Sequence, residues 1–157
     1  MLTIHTKSEE ETLNLGFTIG KNIFYPSVIA LIGELGSGKT IFTKGIAKGM
    51  GIKQMVKSPS FTLINEYSAS YPLYHFDLYR LNNFRQFFEL GYQEYFYTFC
   101  GVVVVEWADK IGDFLPTEYL MVKIQIEDFN LRKIMLTIKG GKNYHQLIQA
   151  IKSKKQC

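Results

Sequence analysis

Eight consecutive residues, Gly33-Glu34-Leu35-Gly36-Ser37-Gly38-Lys39-Thr40, follow the pattern G-x-x-x-x-G-K-[ST]. Each position has a chemical reason. Glycines let consecutive backbone N–H groups turn inward onto phosphate oxygens. A lysine, here Lys39, neutralises charge on the β- and γ-phosphates, and a hydroxyl, here Thr40, ligates Mg²⁺. Residue frequencies in a chain of this composition give such a match by accident roughly one time in a hundred.

A nucleotide hydrolase also needs acids around its metal. Val102-Val-Val-Val-Glu106 is an apolar run ending in a carboxylate. Glu106 could hold Mg²⁺ through water, orient the attacking water, or simply face solvent. In His75-Phe-Asp-Leu-Tyr-Arg-Leu81, strand alternation puts His75, Asp77 and Tyr79 on one face. Asp77 is then a second metal-shell candidate steered by His75. The alternative is a local Asp77 bond to His75 or Arg80 without metal. Trp107 is the single tryptophan and adjoins Glu106, so its ring could stack on a base or pack into the core. The catalytic candidates are Lys39, Glu106 and Asp77; the metal candidates are Thr40, Glu106 and Asp77.

These residues need elements to hold them. Val28–Ile32 and Val102–Val105 are short, wholly apolar runs, as expected of strands buried on both faces. Lys39–Met50 carries Phe42, Ile46 and Met50 at helical spacing, and a helix starting there aims its positive dipole end at the phosphates. Ser8-Glu-Glu-Glu11 reads as a capping box opening a helix that Gly20 would stop. Ser60–Tyr67 and Pro72–Leu78 predict an antiparallel hairpin, as do Tyr119–Ile126 and Leu131–Ile138. Phe84–Tyr97 and Tyr144–Lys152 predict helices. The expectation is an α/β P-loop NTPase fold: a mixed, mostly parallel central sheet flanked by helices, with β-hairpin elements.

The composition agrees. The chain has 157 residues, 46% of them apolar and 20% charged, which suits one domain with a real core and excludes a disordered or collagen-like chain. A single ATPase domain over 1–152 and a disordered basic tail over 153–157 are expected. Net charge is +4, carried mostly by scattered lysines, so a dedicated nucleic-acid surface is not indicated. The two cysteines, Cys100 and Cys157, point to a reducing compartment, with Cys100 expected as a buried thiol. No apolar run reaches the ~18 residues of a membrane span and no secretory leader is visible. A cytoplasmic protein without membrane contact is expected.

The chain resembles the TsaE family (older name YjeE), ATPases required for threonylcarbamoyladenosine in tRNA. The resemblance runs from about Ser8 to Leu136 and rests on four motifs in order: Gly33–Thr40, Val56-Lys-Ser-Pro-Ser-Phe-Thr-Leu63, His75–Leu81, and Glu106-Trp107. It implies ATP and Mg²⁺ as ligands, with Asp77 and Glu106 at the metal and Trp107 beside the nucleotide. It implies a switch-like segment with Ser58, Ser60 and Thr62, an arginine near the nucleotide at Arg132, and Lys110 flanking the base. It further implies slow ATP hydrolysis that resets or regulates a threonylcarbamoyl-transferase complex of TsaD and TsaB type, with tRNA touched indirectly or weakly. The family usually has Asp at position 34, Ala at 37 and Thr at 60, and the residues here keep the character of those positions.

Two rivals fit less well. Asp109-Lys-Ile-Gly112 matches a GTPase D-x-x-G, but no Asn in the chain precedes a Lys, so the guanine-reading N-K-x-D is absent. A small-molecule kinase usually closes an Arg-rich lid, and this chain has three arginines, Arg80, Arg85 and Arg132.

Overall fold

The structure is a computed structural model that describes residues 1–59 and 61–155. In chain order its elements are β1 (Leu2–Thr6), α1 (Glu9–Asn22), β2 (Ser27–Ile32), α2 (Lys39–Gly49), β3 (Ile64–Tyr67) and β4 (Leu73–Asp77). Then follow α3 (Phe84–Glu89), α4 (Tyr92–Tyr97), β5 (Val102–Glu106), β6 (Tyr119–Ile126), β7 (Arg132–Lys139) and α5 (Lys142–Lys155). Two short 3-10 turns, Ala108–Lys110 and Gly112–Phe114, lie between β5 and β6.

The described strands form one seven-stranded sheet in the order β1-β7-β6-β2-β5-β4-β3. β2 pairs in parallel with β5 and β6, and β4 with β5. The β1–β7, β6–β7 and β3–β4 pairs are antiparallel. β1, β2, β4, β5 and β6 therefore point one way, and β3 and β7 oppose them, which is the mixed, mostly parallel sheet expected. β5 is buried along its whole length and β2 along all but its last residue, because helices cover both faces there. On one face Ile29, Leu31 and Val104 pack with Phe42 and Ile46 of α2 and with Leu147 and Ile151 of α5. On the other, Ala30, Val103 and Val105 pack with Phe76, Phe87 and Phe96. Each fully buried side chain of this size contributes about 1.5–3 kcal/mol.

α1 starts as its capping box predicts. The Ser8 hydroxyl accepts the Glu11 N–H at 3.1 Å. The Glu11 carboxylate reaches back one residue farther than expected, to the Lys7 N–H at 2.7 Å. α1 then runs through Gly20 to Asn22. Gly20 is not a stop, because its role is to admit a neighbouring backbone. A Cβ on Gly16 or Gly20 would collide with the carbonyl oxygens of Phe42 and Ile46 on α2, and one on Gly45 or Gly49 with those of Leu13 and Phe17 on α1. The two helices meet backbone to backbone along a four-glycine seam.

Four other expectations need correction. The helix expected over 84–97 is two helices, broken where Gly91 adopts φ +67°, a conformation glycine enters without strain. Of the strand expected over 60–67, residues 61–63 form bends and the strand begins at Ile64, while Ser60 lies outside the described residues. Cys100 is exposed rather than buried, since it follows the end of α4 and precedes the first core residues of β5. α5 continues to Lys155, so residues 153–155 of the expected disordered tail are helical, and 156–157 lie outside the described residues. Among the described residues no helix is long and apolar enough to cross a membrane.

Candidate functional site

The parallel strands β2, β4 and β5 end side by side, and the loops leaving them enclose a cavity of about 470 Å³. Crevices beyond the carboxyl ends of parallel strands are where ligands bind on such sheets. β2 gives way to the loop 33–38, which turns directly into α2 at Lys39. Gly36 at φ +77° and Gly38 at φ +107° take left-handed conformations that a side chain would strain. At Gly33 a Cβ would stand 2.5 Å from Ser37 Oγ and 2.6 Å from the Ile124 carbonyl oxygen, so this corner must be bare for the loop to close. Leu35, Gly36, Gly38, Lys39 and Thr40 line the cavity. Ser37 is fully buried under it, and Glu34 is exposed at its side.

The Lys39 ammonium donates to the carbonyl oxygens of Gly33 at 2.7 Å and Glu34 at 2.9 Å. It also stands 4.0 Å from the centre of the Trp107 ring. Burial pushes the Lys39 ammonium below its ordinary value, and the carboxylates of Glu106, Asp77, Asp109 and Glu34 offset part of that shift. The ammonium is thus partly desolvated at the floor of the cleft, with carboxylates around it that favour its charged form.

Glu106 does not face solvent. It is 2% exposed, and three groups surround its carboxylate. His75 Nε2–H donates to Oε1 at 2.8 Å, the Thr43 hydroxyl to Oε1 at 3.2 Å, and the Thr40 hydroxyl to Oε2 at 3.1 Å. The Thr40 oxygen also lies 3.2 Å from Ser58 Oγ. Asp77 sits opposite Glu106 in the parallel register of β4 and β5. It lines the same cavity and accepts the Tyr79 N–H at 3.0 Å. The expected steering of Asp77 by His75 is corrected: the His75 ring serves Glu106 on the adjacent strand.

Trp107 is half-buried and lines the cavity, so its ring packs on core residues with one side and meets the cleft with the other. Its backbone is left-handed, with φ +59°, a strain of order 1–3 kcal/mol in a non-glycine residue. The Tyr79 ring tilts against it at 5.1 Å. Lys110 reaches the edge of this pair: its ammonium donates to the Tyr79 carbonyl and stands 5.9 Å from the Trp107 ring. Arg132, at the start of β7, approaches from outside the cavity. Its guanidinium donates to the carbonyls of Ser37 at 3.2 Å and Asp128 at 2.9 Å, so it braces the back of the phosphate loop. Ser58 and Thr62 line the opposite wall with Phe61, which is 99% exposed. Ser60 lies outside the described residues.

Thr43 was not singled out from sequence, and Tyr79 was placed on a face without a role. Thr43 follows Thr40 by three residues, the spacing that puts both hydroxyls on one helix face. Alternation places Tyr79 on the face of Asp77, but its contact with Trp107, which joins the ends of two strands, has no signal in the sequence.

Among the described residues no group of three or more His, Cys, Asp or Glu could hold a metal by itself. The donors present, one threonine hydroxyl and two carboxylates beside a phosphate loop, are hard oxygens that fit Mg²⁺, which keeps waters and shares substrate phosphates.

A family model described as "Threonylcarbamoyl adenosine biosynthesis protein TsaE" matches residues 6–134. A Bacillus subtilis (strain 168) protein named tRNA threonylcarbamoyladenosine biosynthesis protein TsaE is 43% identical over 125 residues, 79% of this chain and 77% of that protein. A Treponema pallidum (strain Nichols) protein of the same name is 37% identical over 121 residues, 77% of this chain and 89% of that protein. The crystal structure of Bacillus subtilis YdiB matches with a TM-score of 0.80 at 36% identity, covering 98% of this chain and 95% of that one.

Proposed function

The chain belongs to the TsaE family, whose members are tRNA threonylcarbamoyladenosine biosynthesis proteins, and on that premise we propose that it binds and slowly hydrolyses Mg·ATP. Hydrolysis would reset or regulate a threonylcarbamoyl-transferase complex of TsaD and TsaB type, and this chain would not perform the transfer. The observation that carries the reading is the Thr40–Glu106 contact at 3.1 Å, which joins the hydroxyl closing the phosphate loop to the acid closing β5.

In this reading the loop amides and Lys39 cradle the phosphates, while Trp107 and Tyr79 offer a face for the base with Lys110 at its edge. Thr40, Glu106 and Asp77 would hold Mg²⁺, which supplies charge neutralisation across the β- and γ-phosphates. The residues of this chain bind, orient and place the attacking water. Phosphoryl transfer is strongly accelerated by an arginine near the developing charge, often supplied in trans. Arg132 is engaged with loop carbonyls, Arg85 pairs with Glu89, and Arg80 lines the cavity. Arg80 is thus the single internal arginine at the cavity among the described residues, and the family reading adds slow turnover alone with stimulation by a docked partner as the expected behaviour. The test is steady-state ATPase with and without the transferase proteins, beside a multiple-turnover tRNA modification assay. Brisk turnover alone, unchanged by partners and without effect on modification, would revive the small-molecule kinase.

A further inference from the structure

We propose that His75 is the positioning residue for Glu106, turning its carboxylate so that Oε2 is presented to Thr40 and the metal; this rests on the Mg·ATP reading above. His75 lies on β4 and Glu106 at the end of β5, both essentially excluded from water, with Nε2 and Oε1 2.8 Å apart. A carboxylate oxygen only accepts, so the imidazole carries its proton on Nε2.

The other donor at Oε1 is shared. The single Thr43 hydroxyl proton is placed between Oε1 at 3.2 Å and the Lys39 carbonyl oxygen at 2.9 Å. The shorter of these is the ordinary back-bond of a helical threonine to the residue four before it. On the other oxygen, the Thr40 hydroxyl donates to Oε2 at 3.1 Å, and its oxygen lies 3.2 Å from Ser58 Oγ. At Oε1, His75 alone gives its proton to Glu106 and to nothing else. Its Nδ1 is buried with no hydrogen-bond partner among the described residues. Buried polar atoms are usually satisfied, so a histidine kept only to fill the core would be replaced there at little loss by an apolar side chain. What this imidazole supplies is one charge-assisted hydrogen bond to one oxygen. With Oε1 fixed, rotation of the Glu106 carboxylate is stopped and Oε2 faces the loop hydroxyl. This is the relation by which outer partners orient the ligands of a metal.

The experiment uses the full chain with His75→Leu, His75→Gln and His75→Asn. ATP binding is followed by calorimetry in chelator and then across a Mg²⁺ titration, and thermal unfolding is recorded for each variant. Glutamine places an amide N–H close to the Nε2 position; asparagine carries the same amide but falls short. We expect His75→Leu to bind metal-free ATP as the parent does but to require roughly 10–100-fold more Mg²⁺ for the metal-dependent gain. His75→Gln should return to within a few-fold of the parent, and His75→Asn should not. A Mg²⁺ requirement unchanged in His75→Leu, with at most a lowered melting temperature, overturns the proposal. Should His75→Leu not fold, equal Mg²⁺ requirements in the Gln and Asn variants overturn it. If the parent binds ATP without any Mg²⁺ dependence, the Mg·ATP reading itself has failed and takes this one with it, an outcome visible before any variant is compared.

Discussion

The Lys39 ammonium stands 4.0 Å from the centre of the Trp107 ring, so the cation suited to a phosphate and the ring suited to a base already touch. A cation–π contact of this kind contributes about 0.5–2 kcal/mol, little against a triphosphate. Nucleotide binding should draw Lys39 off the ring and cover the ring with the base. Trp107 is the sole tryptophan, so its emission reports this one place. ATP or ADP should change that emission; an unchanged spectrum at saturation, with binding confirmed by calorimetry, would leave Trp107 as a packing residue.

Replacing Lys39 by Ala should abolish measurable ATP binding. Thr40→Ala should bind metal-free ATP normally and lose the gain from Mg²⁺. Calorimetry with and without Mg²⁺ separates the two, and parent-like affinity in the Lys39 variant would sink the phosphate-loop assignment.

Glu106→Ala and Asp77→Ala should both fold and both hydrolyse ATP at least about a hundredfold more slowly, the loss typical of removing one positioned electrostatic group. The Asp77 carboxylate also accepts the Tyr79 N–H, so the two roles can be told apart. A single-turnover assay in which Asp77→Ala is fully active while Glu106→Ala is dead would assign Asp77 to turn formation alone.

Tyr144 ties α5 to β2: its hydroxyl accepts the Val28 N–H at 2.8 Å and donates to the Val28 carbonyl at 3.1 Å. Burial raises its pKa from 10.0 to about 12. Because the folded value lies above the unfolded one, the stability it gives is complete below pH 10 and is lost as pH climbs toward 12. The loss amounts to about 3 kcal/mol. Urea midpoints measured across that range should fall, and should fall less steeply in Tyr144→Phe. Equal slopes in the two proteins would refute the assignment.

Gly45→Ala should destabilise by about 1–3 kcal/mol, the range for overpacking, because its Cβ would meet the Leu13 carbonyl oxygen. An unaltered denaturation midpoint would mean that the helices part without cost.

The phosphate loop, the strand ending at Glu106 and both hairpins were legible because each is a local pattern: fixed spacing, an unbroken apolar run, alternation. What escaped was set by distance along the chain. His75 meets Glu106 only through the register of β4 and β5. Arg132 reaches the loop because β7 folds back beside β6. The break at Gly91 was masked by aromatic residues that fit a helix and a core equally well. The glycine seam was visible as two pairs at a spacing of four, but Gly20 and Gly49 also suit helix ends, and one chain read alone favours the local explanation.

That seam decides which side of the cleft can yield. At its four glycines the seam brings the two backbones together with no side chain between them, so α1 and α2 form the close-packed jaw of the cleft. The opposing jaw is the stretch between two tethers. The Lys57 backbone is held by the Tyr67 hydroxyl, and the Leu63 carbonyl accepts the Asp77 N–H at 3.0 Å. Between them the chain carries Ser58 against Thr40 and Phe61 out in solvent. On the Mg·ATP reading, exchange of a triphosphate for a diphosphate would be felt on this side of the cleft at Ser58, whose hydroxyl lies 3.2 Å from that of Thr40.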